Sequence, residues 1–253
     1  YSDGTLSPSD LAKIFAKAGA SIVSLTDHDT IKGVASMTAE CAKLGVTNIA
    51  GVEISTFDKV EIHILGYNMN LSDKKFVNYM AELRKKRHER MLQILDKLHT
   101  NGINITYEEV KKYSTDSLSR FHIAQAMAKK GYGGGNVQDC LKNYLAYGAP
   151  CYVPHFVSEP EGAIEAIRSA GGIAVLAHPT RIDLSPNLRD DLIIRLKKNG
   201  LDGIEAEYRD NTDLVEFALK NNLLITPGGD FHTESSMPYL RPIGESLRKR
   251  LKI

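Results

Sequence analysis

The sequence predicts an α/β fold of strand–helix–strand units, interrupted by a long helical segment. Three observations carry this. Apolar runs of strand character, such as Ser21-Ile22-Val23-Ser24-Leu25 and Ile173-Ala174-Val175-Leu176-Ala177, alternate with amphipathic helical patterns; that rhythm argues for parallel strands. Between residues 73 and 147 strand signals vanish and helical periodicity takes over. The chain has 253 residues, enough for two ordinary domains or for one α/β barrel of about 250 residues.

Ser7-Pro8-Ser9-Asp10 opens the first helix, with Ser7 as N-cap and Pro8 at the first helical position. Leu11, Ile14, Phe15 and Ala18 form its apolar face. Strand 21–25 follows and ends in Asp27-His28-Asp29, with Thr30 placed to cap a helix over 31–44 that Gly45 stops. Thr47 to Ser55 is the next strand. It carries Glu53, and a carboxylate in an apolar strand needs a partner because burying a lone charge is expensive. Glu61 to Tyr67 is another strand, with His63 in its interior; alone, such a histidine reads more readily as a hydrogen-bonded core residue than as a ligand.

Helices are then expected over 76–99, 106–113, 118–130 and 136–147. Residues 73–147 read as a helical cap inserted into an α/β layer made of residues 1–72 and 148–253. The basic run Arg84-Lys85-Lys86-Arg87-His88-Glu89-Arg90 reads as a solvated helix face. Ser119-Arg120-Phe121-His122 opens a helix whose first amides and dipole favour an anion, so Arg120 and His122 are candidate phosphate contacts. Gly131-Tyr132-Gly133-Gly134-Gly135 follows a helix and lacks the Lys-Ser/Thr of a P-loop. It reads as a loop.

The α/β rhythm resumes after Pro154. Helix 160–170 leads to strand 173–177, which ends in His178-Pro179. Helix 188–198 precedes strand 202–207, and helix 213–221 precedes strand 223–226, which runs into Gly228-Gly229-Asp230-Phe231-His232. Alternate residues of extended chain share a face, so Asp230 and His232 are expected to point into one pocket.

Composition narrows the function. A net charge of +1 gives no global pull toward nucleic acid or acidic membranes. The three cysteines, Cys41, Cys140 and Cys151, show no CxxC spacing, which argues against a disulfide scaffold and for a reducing cytoplasm. No apolar run reaches the ~18 residues of a membrane span, and no signal peptide is visible. No membrane association and no obligate protein partner are expected.

Asp3, His28, Glu53, His63, His178, Asp230 and His232 fall at or just beyond predicted strands, or in a loop able to reach the same rim. In a parallel α/β sheet or barrel the carboxyl ends of the strands are where sites are built. Mixed imidazole and carboxylate donors without thiolates suit zinc, manganese or iron in a multinuclear site. Such a site binds a phosphate oxygen and lowers the pKa of water for attack on a phosphate ester. Asp27 and Asp29 are candidates to support the ligands or to transfer a proton.

These residues also carry a resemblance. Ser2-Asp3-Gly4, Thr26-Asp27-His28-Asp29-Thr30-Ile31-Lys32-Gly33, Gly51-Val52-Glu53, His63-Ile64-Leu65-Gly66-Tyr67, Ala177-His178-Pro179 and Asp230-Phe231-His232 together resemble the polymerase-and-histidinol-phosphatase (PHP) family across nearly the whole chain. The resemblance implies a distorted (βα)7 barrel with up to three divalent ions at the strand carboxyl ends. It implies that Glu53 bridges two ions, with His63 and His178 on one and Asp230 on the other, and that Asp3, His28 and His232 hold the third. Glu53, Asp230 and His232 are then the catalytic group, serving a metal-bridged hydroxide. Ser119-Arg120-Phe121-His122 within the insertion resembles the branch of 3′,5′-nucleotide bisphosphate phosphatases and short-RNA 5′-exonucleases. That implies a nucleotide substrate, with short RNA as a further candidate, and phosphate contacts from Arg120, His122 and Arg181.

In the family a His-x-His pair precedes Ser-Asp-Gly on the first barrel strand. The sequence here starts at Tyr1, so that pair and strand are expected in a native upstream segment. Three alternatives stand beside the bisphosphatase: a phosphatase of the histidinol phosphate type, a non-catalytic metal-stabilised binding module, and an α/β barrel with structural histidines.

Overall fold

The computed structural model describes residues 1–253 except 115, 155–157, 207–211 and 234–239. Among the described residues six strands form one sheet in the order β1 (Ile22–Leu25), β2 (Thr47–Asp58), β3 (Val60–Tyr67), β4 (Ile173–Leu176), β5 (Gly203–Glu205) and β6 (Leu224–Thr226). The sheet curls into a half-barrel. β1 and β2 are parallel, as are β4–β5 and β5–β6, but β3 runs antiparallel to both neighbours. The strand–helix–strand units are parallel as expected, and β3 alone departs from that pattern. Only Lys59, at φ 61°, separates β2 from β3, whereas a parallel connection needs a crossover of about a dozen residues or more. β2 runs on to Asp58 rather than stopping at Ser55. β5 covers only part of the expected 202–207, and residue 207 lies outside the described residues.

Helix α1 (Pro8–Lys17) starts as its sequence dictates, with Ser7 Oγ accepting from Asp10 N–H at 3.1 Å. Helix α2 (Val34–Leu44) begins later than Ile31, because Thr30 does not cap it. Gly33 holds the cap position, and Thr30 Oγ1 donates instead to Asp116 in the helical segment.

The helical segment is organised by α3 (Lys74–Thr100), capped by Asp73 Oδ1, which accepts from Phe76 N–H at 2.9 Å. Its first half, through Phe76, Met80 and Leu83, packs into the core of the α/β layer. Its second half, through Met91, Ile94 and Leu98, joins a separate core with Ile123, Met127 and Leu145. Around that second core lie α4 (Tyr107–Val110), α5 (Arg120–Lys129) and α6 (Val137–Cys140). A 3-10 turn over Lys111–Tyr113 continues α4, and a π turn over Leu141–Leu145 continues α6, so the helix expected over 136–147 is broken into short pieces.

The basic run on α3 is the expected solvated face at Lys85, His88 and Glu89, with Arg84 and Lys86 half-buried, but not at its two other arginines. Arg87 and Arg90 are buried. Arg87 Nε donates to Asp29 Oδ2 at 2.9 Å, and Arg90 donates to Val153 O through Nε and an Nη at 3.1 and 3.0 Å. Arg87 lies four residues after Leu83, and Arg90 lies four before Ile94, so both share the inward stripe of the helix.

Helices α7 (Pro160–Ser169), α8 (Pro186–Lys198) and α9 (Thr212–Lys220) follow. Ile164 and Ile167 of α7 and Ile193 and Leu196 of α8 pack on Ile54, Ile62 and Ile64 of the hairpin. The C-terminal helix α10 (Glu245–Leu251), absent from the sequence expectations, lays Leu247 and Leu251 against Ile49, Leu65 and Val175. No helix among the described residues is long and apolar enough to cross a membrane.

Candidate metal centre

Backbone pairing carries each site residue to one rim. Beyond Leu25 the chain stays paired with β2: Glu53 N–H donates to Asp27 O at 3.1 Å, and Asp29 N–H donates to Glu53 O at 2.9 Å. His28 is thereby bridged to Glu53 in parallel register. On β3, His63 sits opposite Ser55, and Ala177 N–H donates to His63 O at 3.0 Å, which extends the pairing of β4 toward His178. The segment after β6 brings Asp230 and His232, and Thr5 N–H donates to His232 O at 3.0 Å, tying in the loop that carries Asp3. A cavity of about 280 Å³ lies here, lined by Asp3, His28, Glu53, His178, Glu205 and Asp230 among others.

Glu53 lies at the middle. Its Oε1 is 2.8 Å from His63 Nδ1 and 3.0 Å from His178 Nε2, and those two nitrogens are 3.2 Å apart. Its Oε2 faces His28 Nε2 at 3.8 Å. Asp3 stands beyond, with Oδ2 3.8 Å from His28 Nε2 and Oδ1 3.5 Å from His232 Nε2. Asp230 completes the arc, with Oδ1 3.5 Å from His232 Nδ1 and its other oxygen paired with Arg181. Asp230 and His232 meet, though not by extended-chain alternation: Asp230 is left-handed, at φ 46°. The His232 ring folds back, with Nδ1–H donating to Asp230 O at 2.8 Å.

Burial and mutual charge set the protonation states. Burial pushes the Glu53 carboxyl up, but the facing His28, His178 and His63 outweigh it and hold its pKa well below the usual range. Burial opposes charge on His63, yet the hydrogen bond to Glu53 and the facing carboxylate of Glu61 push its pKa up to about 10. The Asp3 hydrogen bond pushes His232 up to about 9 against its burial. Burial also opposes charge on Asp3, and the facing His232 and His28 overcome it and hold the acid well below its ordinary value.

Such a donor set fits a divalent cation. Bonds of about 2.1 Å around one ion put neighbouring donor atoms about 3.0–3.4 Å apart. The triangle of Glu53 Oε1, His63 Nδ1 and His178 Nε2, with edges of 2.8, 3.0 and 3.2 Å, is close to that size. Two imidazole nitrogens aimed at one carboxylate oxygen is also an arrangement that a cation satisfies better than a proton. His28, Glu53 and His63 offer donor atoms that all lie within 4.8 Å of one another. His232, fixed by its Nδ1–H bond to a backbone carbonyl, leaves Nε2 facing the cavity, as ligand histidines do.

The remaining predicted residues are placed unequally. Arg120 stands at the start of α5, its guanidinium 2.9 Å from Glu61 Oε2, and Glu61 Oε1 lies 3.5 Å from His63 Nε2. Arg181 reaches the rim through Asp230. His122 does not face open space: it is buried, its Nδ1 accepts from Ser119 N–H at 2.9 Å, and its ring also bonds the Ser2 backbone. Burial pushes its pKa down to about 4, which keeps the ring neutral near pH 7. Asp27 accepts from Ser2 N–H and Oγ–H at 3.1 and 2.8 Å, positioning the loop of Asp3. Asp29 is fully buried, accepts from Ser55 N–H at 2.8 Å and pairs with Arg87.

Two participants carry no role in the sequence reading. Glu205 ends β5 and accepts from His178 N–H at 2.9 Å. Its strand-end position, shared with the other site residues, was the available signal. Arg87 could have been found by following the apolar stripe of α3 through Leu83.

Comparison with known proteins agrees with this geometry. Residues 1–151 match the PHP domain family. The chain is 32% identical to a 5′-3′ exoribonuclease of Haemophilus influenzae over 237 residues, covering 91% of this chain and 86% of the relative. It is 30% identical to a 3′,5′-nucleoside bisphosphate phosphatase of Chromobacterium violaceum over 269 residues, covering 99% and 94%. A solved amidohydrolase from Chromobacterium violaceum with bound sulfate superposes with a TM-score of 0.89 at 27% identity, covering 99% of this chain and 92% of that one. A structure from Bifidobacterium adolescentis described as a metal-dependent phosphoesterase gives a TM-score of 0.82 at 27% identity, with the same coverages. With the imidazole and carboxylate cluster at the strand ends, these likenesses show that the chain belongs to the PHP domain family and is a metal-dependent phosphoesterase, a hydrolase.

Proposed function

We propose that the protein releases phosphate from a small phosphorylated nucleotide, with a 3′,5′-bisphosphate as the leading substrate. The single observation that carries the metal chemistry is Glu53, whose Oε1 faces His63 and His178 while Oε2 faces His28. On this reading Glu53 would help to hold two ions. His63 and His178 complete one position, Asp230 serves another, and Asp3, His28 and His232 form a third. Bound divalent ions supply Lewis acidity toward a phosphate oxygen and a water of lowered pKa. The donors are nitrogen and oxygen only, which suits manganese, zinc or iron.

The chain's own residues do the rest. Glu53, Asp230 and His232 hold the reacting centre in place. Arg181, beside Asp230, and Arg120, beside Glu61, put two guanidiniums within reach of the rim; a guanidinium matches phosphate oxygens in pairs. The helical segment, residues 73–147, acts as a cap that gives the site a wall beyond the barrel, built around its own core. Support for a nucleotide comes from relatives named as a nucleoside bisphosphate phosphatase and as 5′-3′ exoribonucleases. Three separate buried thiols are in keeping with a cytoplasmic protein.

Phosphate release from adenosine 3′,5′-bisphosphate with added manganese tests the reading, beside chelator-treated protein and a His178→Ala variant. The expected result is release that both controls abolish. Metal bound without release would overturn the bisphosphate assignment, and a panel of histidinol phosphate and 5′-phosphorylated short RNA would then name the ester. Neither release nor bound metal would favour a binding module.

A further inference from the structure

We propose that Glu205 is a positioning residue of the metal centre: its carboxylate holds the turn at His178 that aims the imidazole at Glu53 and His63. This rests on the reading of His178 as a metal ligand.

His178 has φ 27° and ψ 59°, short of the ordinary left-handed basin and strained for a residue with a side chain. A conformation of that kind persists only where its surroundings over-determine it. Three hydrogen bonds do so. Ala177 N–H donates to His63 O at 3.0 Å on one side of the turn, and Arg181 N–H donates to His178 O at 2.9 Å on the other. Between them, His178 N–H donates to Glu205 Oε2 at 2.9 Å.

Glu205 itself has little room to move. β5 lies between β4 and β6 in the sheet, so its last residue stands between the turn at His178 and the loop leading to Asp230. A Cβ built on Gly228 of that loop would fall 1.5 Å from Glu205 Oε1. The loop is therefore moulded against one carboxylate oxygen while the other holds the amide. The result of the clasp is that His178 Nε2 lies 3.0 Å from Glu53 Oε1 and 3.2 Å from His63 Nδ1. Glu205 acts through the backbone, and its contact with the imidazole's aim is indirect.

The test compares the full chain with Glu205→Ala, Glu205→Gln and His178→Ala variants. Manganese binding is measured by equilibrium dialysis, coordination by the visible absorption of cobalt-loaded protein, and folding by thermal unfolding. Glu205→Ala is expected to weaken, by about 10–100-fold, the ion that His178→Ala loses, and to alter the cobalt bands. Glu205→Gln keeps an acceptor oxygen for the amide and is expected to bind close to wild type. Wild-type binding by Glu205→Ala, with the ion lost in His178→Ala, overturns the positioning role and leaves the metal reading standing. Equal weakening by Gln and Ala also overturns it, because charge and not the amide acceptor would then matter. Full binding by His178→Ala overturns the metal reading and the proposal with it. If Glu205→Ala does not fold, Glu205→Asp decides: it keeps the charge but withdraws the acceptor by one methylene, so weakened binding supports the proposal and wild-type binding overturns it.

Discussion

Arg87→Met tests the buried ion pair that stands behind the candidate metal site. It removes a guanidinium from a site where the two side chains are 9% and 0% exposed, and takes from the buried Asp29 carboxylate the ion pair it makes with Arg87. At the observed 2.9 Å, and an effective dielectric of ~20, the gross attraction is about 6 kcal/mol. Desolvation offsets part of that in the intact pair, but removing one partner of a buried pair costs about 3–5 kcal/mol. Hydrogen bonds from Arg87 to Ser55 Oγ at 3.2 Å and to Leu118 O at 3.4 Å go as well. For a chain of this size the loss lowers Tm by about 6–20 °C. Ser55 Oγ lies 3.4 Å from His28 Nδ1, so manganese affinity is expected to fall too. Thermal unfolding of Arg87→Met, Asp29→Asn and the double variant gives the coupling directly. The double variant should cost clearly less than the two single changes combined, because the ion pair is then removed as a unit and its mutual attraction is lost only once. A Tm for Arg87→Met within about 2 °C of wild type, or simple additivity in the double variant, would refute the reasoning.

Three further outcomes follow from the geometry. His122 is a buried base whose pKa falls from 6.5 to about 4, so between those values the unfolded chain binds more protons; stability is full near neutrality and is lost as pH falls through the window, by up to about 3 kcal/mol. Thermal unfolding from pH 7 to pH 5 should therefore show a shallower slope for His122→Gln than for wild type, and equal slopes would count against it. Gly51→Ala puts a Cβ 2.2 Å from Ser24 Oγ and 2.8 Å from Leu25 O, forcing β1 away from β2 at about 1–3 kcal/mol; an unchanged Tm would show that the strands can part freely. Arg120→Ala, if the guanidinium meets a substrate phosphate, raises KM about tenfold with kcat little changed, and an unchanged KM removes Arg120 from the binding surface.

Much of the framework was legible because local chemistry decides it. The Ser7 cap with Pro8 and the glycine stop of α2 are settled within a few residues of chain. The strands that carry His28, Glu53, His63 and His178 announce themselves as apolar runs ending in, or interrupted by, groups that need partners. The antiparallel course of β3 was readable in principle, since a one-residue connection forbids a crossover.

Other features are long-range. The basic run on α3 has one charge pattern whether it is solvated or buried; only the presence of Asp29 and Val153 O opposite turns Arg87 and Arg90 inward. His122 and Arg120 begin the same helix, yet one ring is buried against Ser2 and the other side chain reaches Glu61, because the loop of Ser2 and Asp3 closes over the first and not the second. Glu205 and Gly228 acquire a role only when two strand ends far apart in sequence meet.

By itself, then, the sequence determined which residues are candidates to ligate ions, on or beside which strands they stand, and which family they resemble, because residue type, short motifs and local periodicity specify these. Tertiary structure alone decided which oxygen of Glu53 faces which histidine, that Asp29 is a buried ion-pair partner, and that His178 sits in a strained turn. These depend on pairing register and on charges brought together from distant segments, and neither leaves a mark on local sequence.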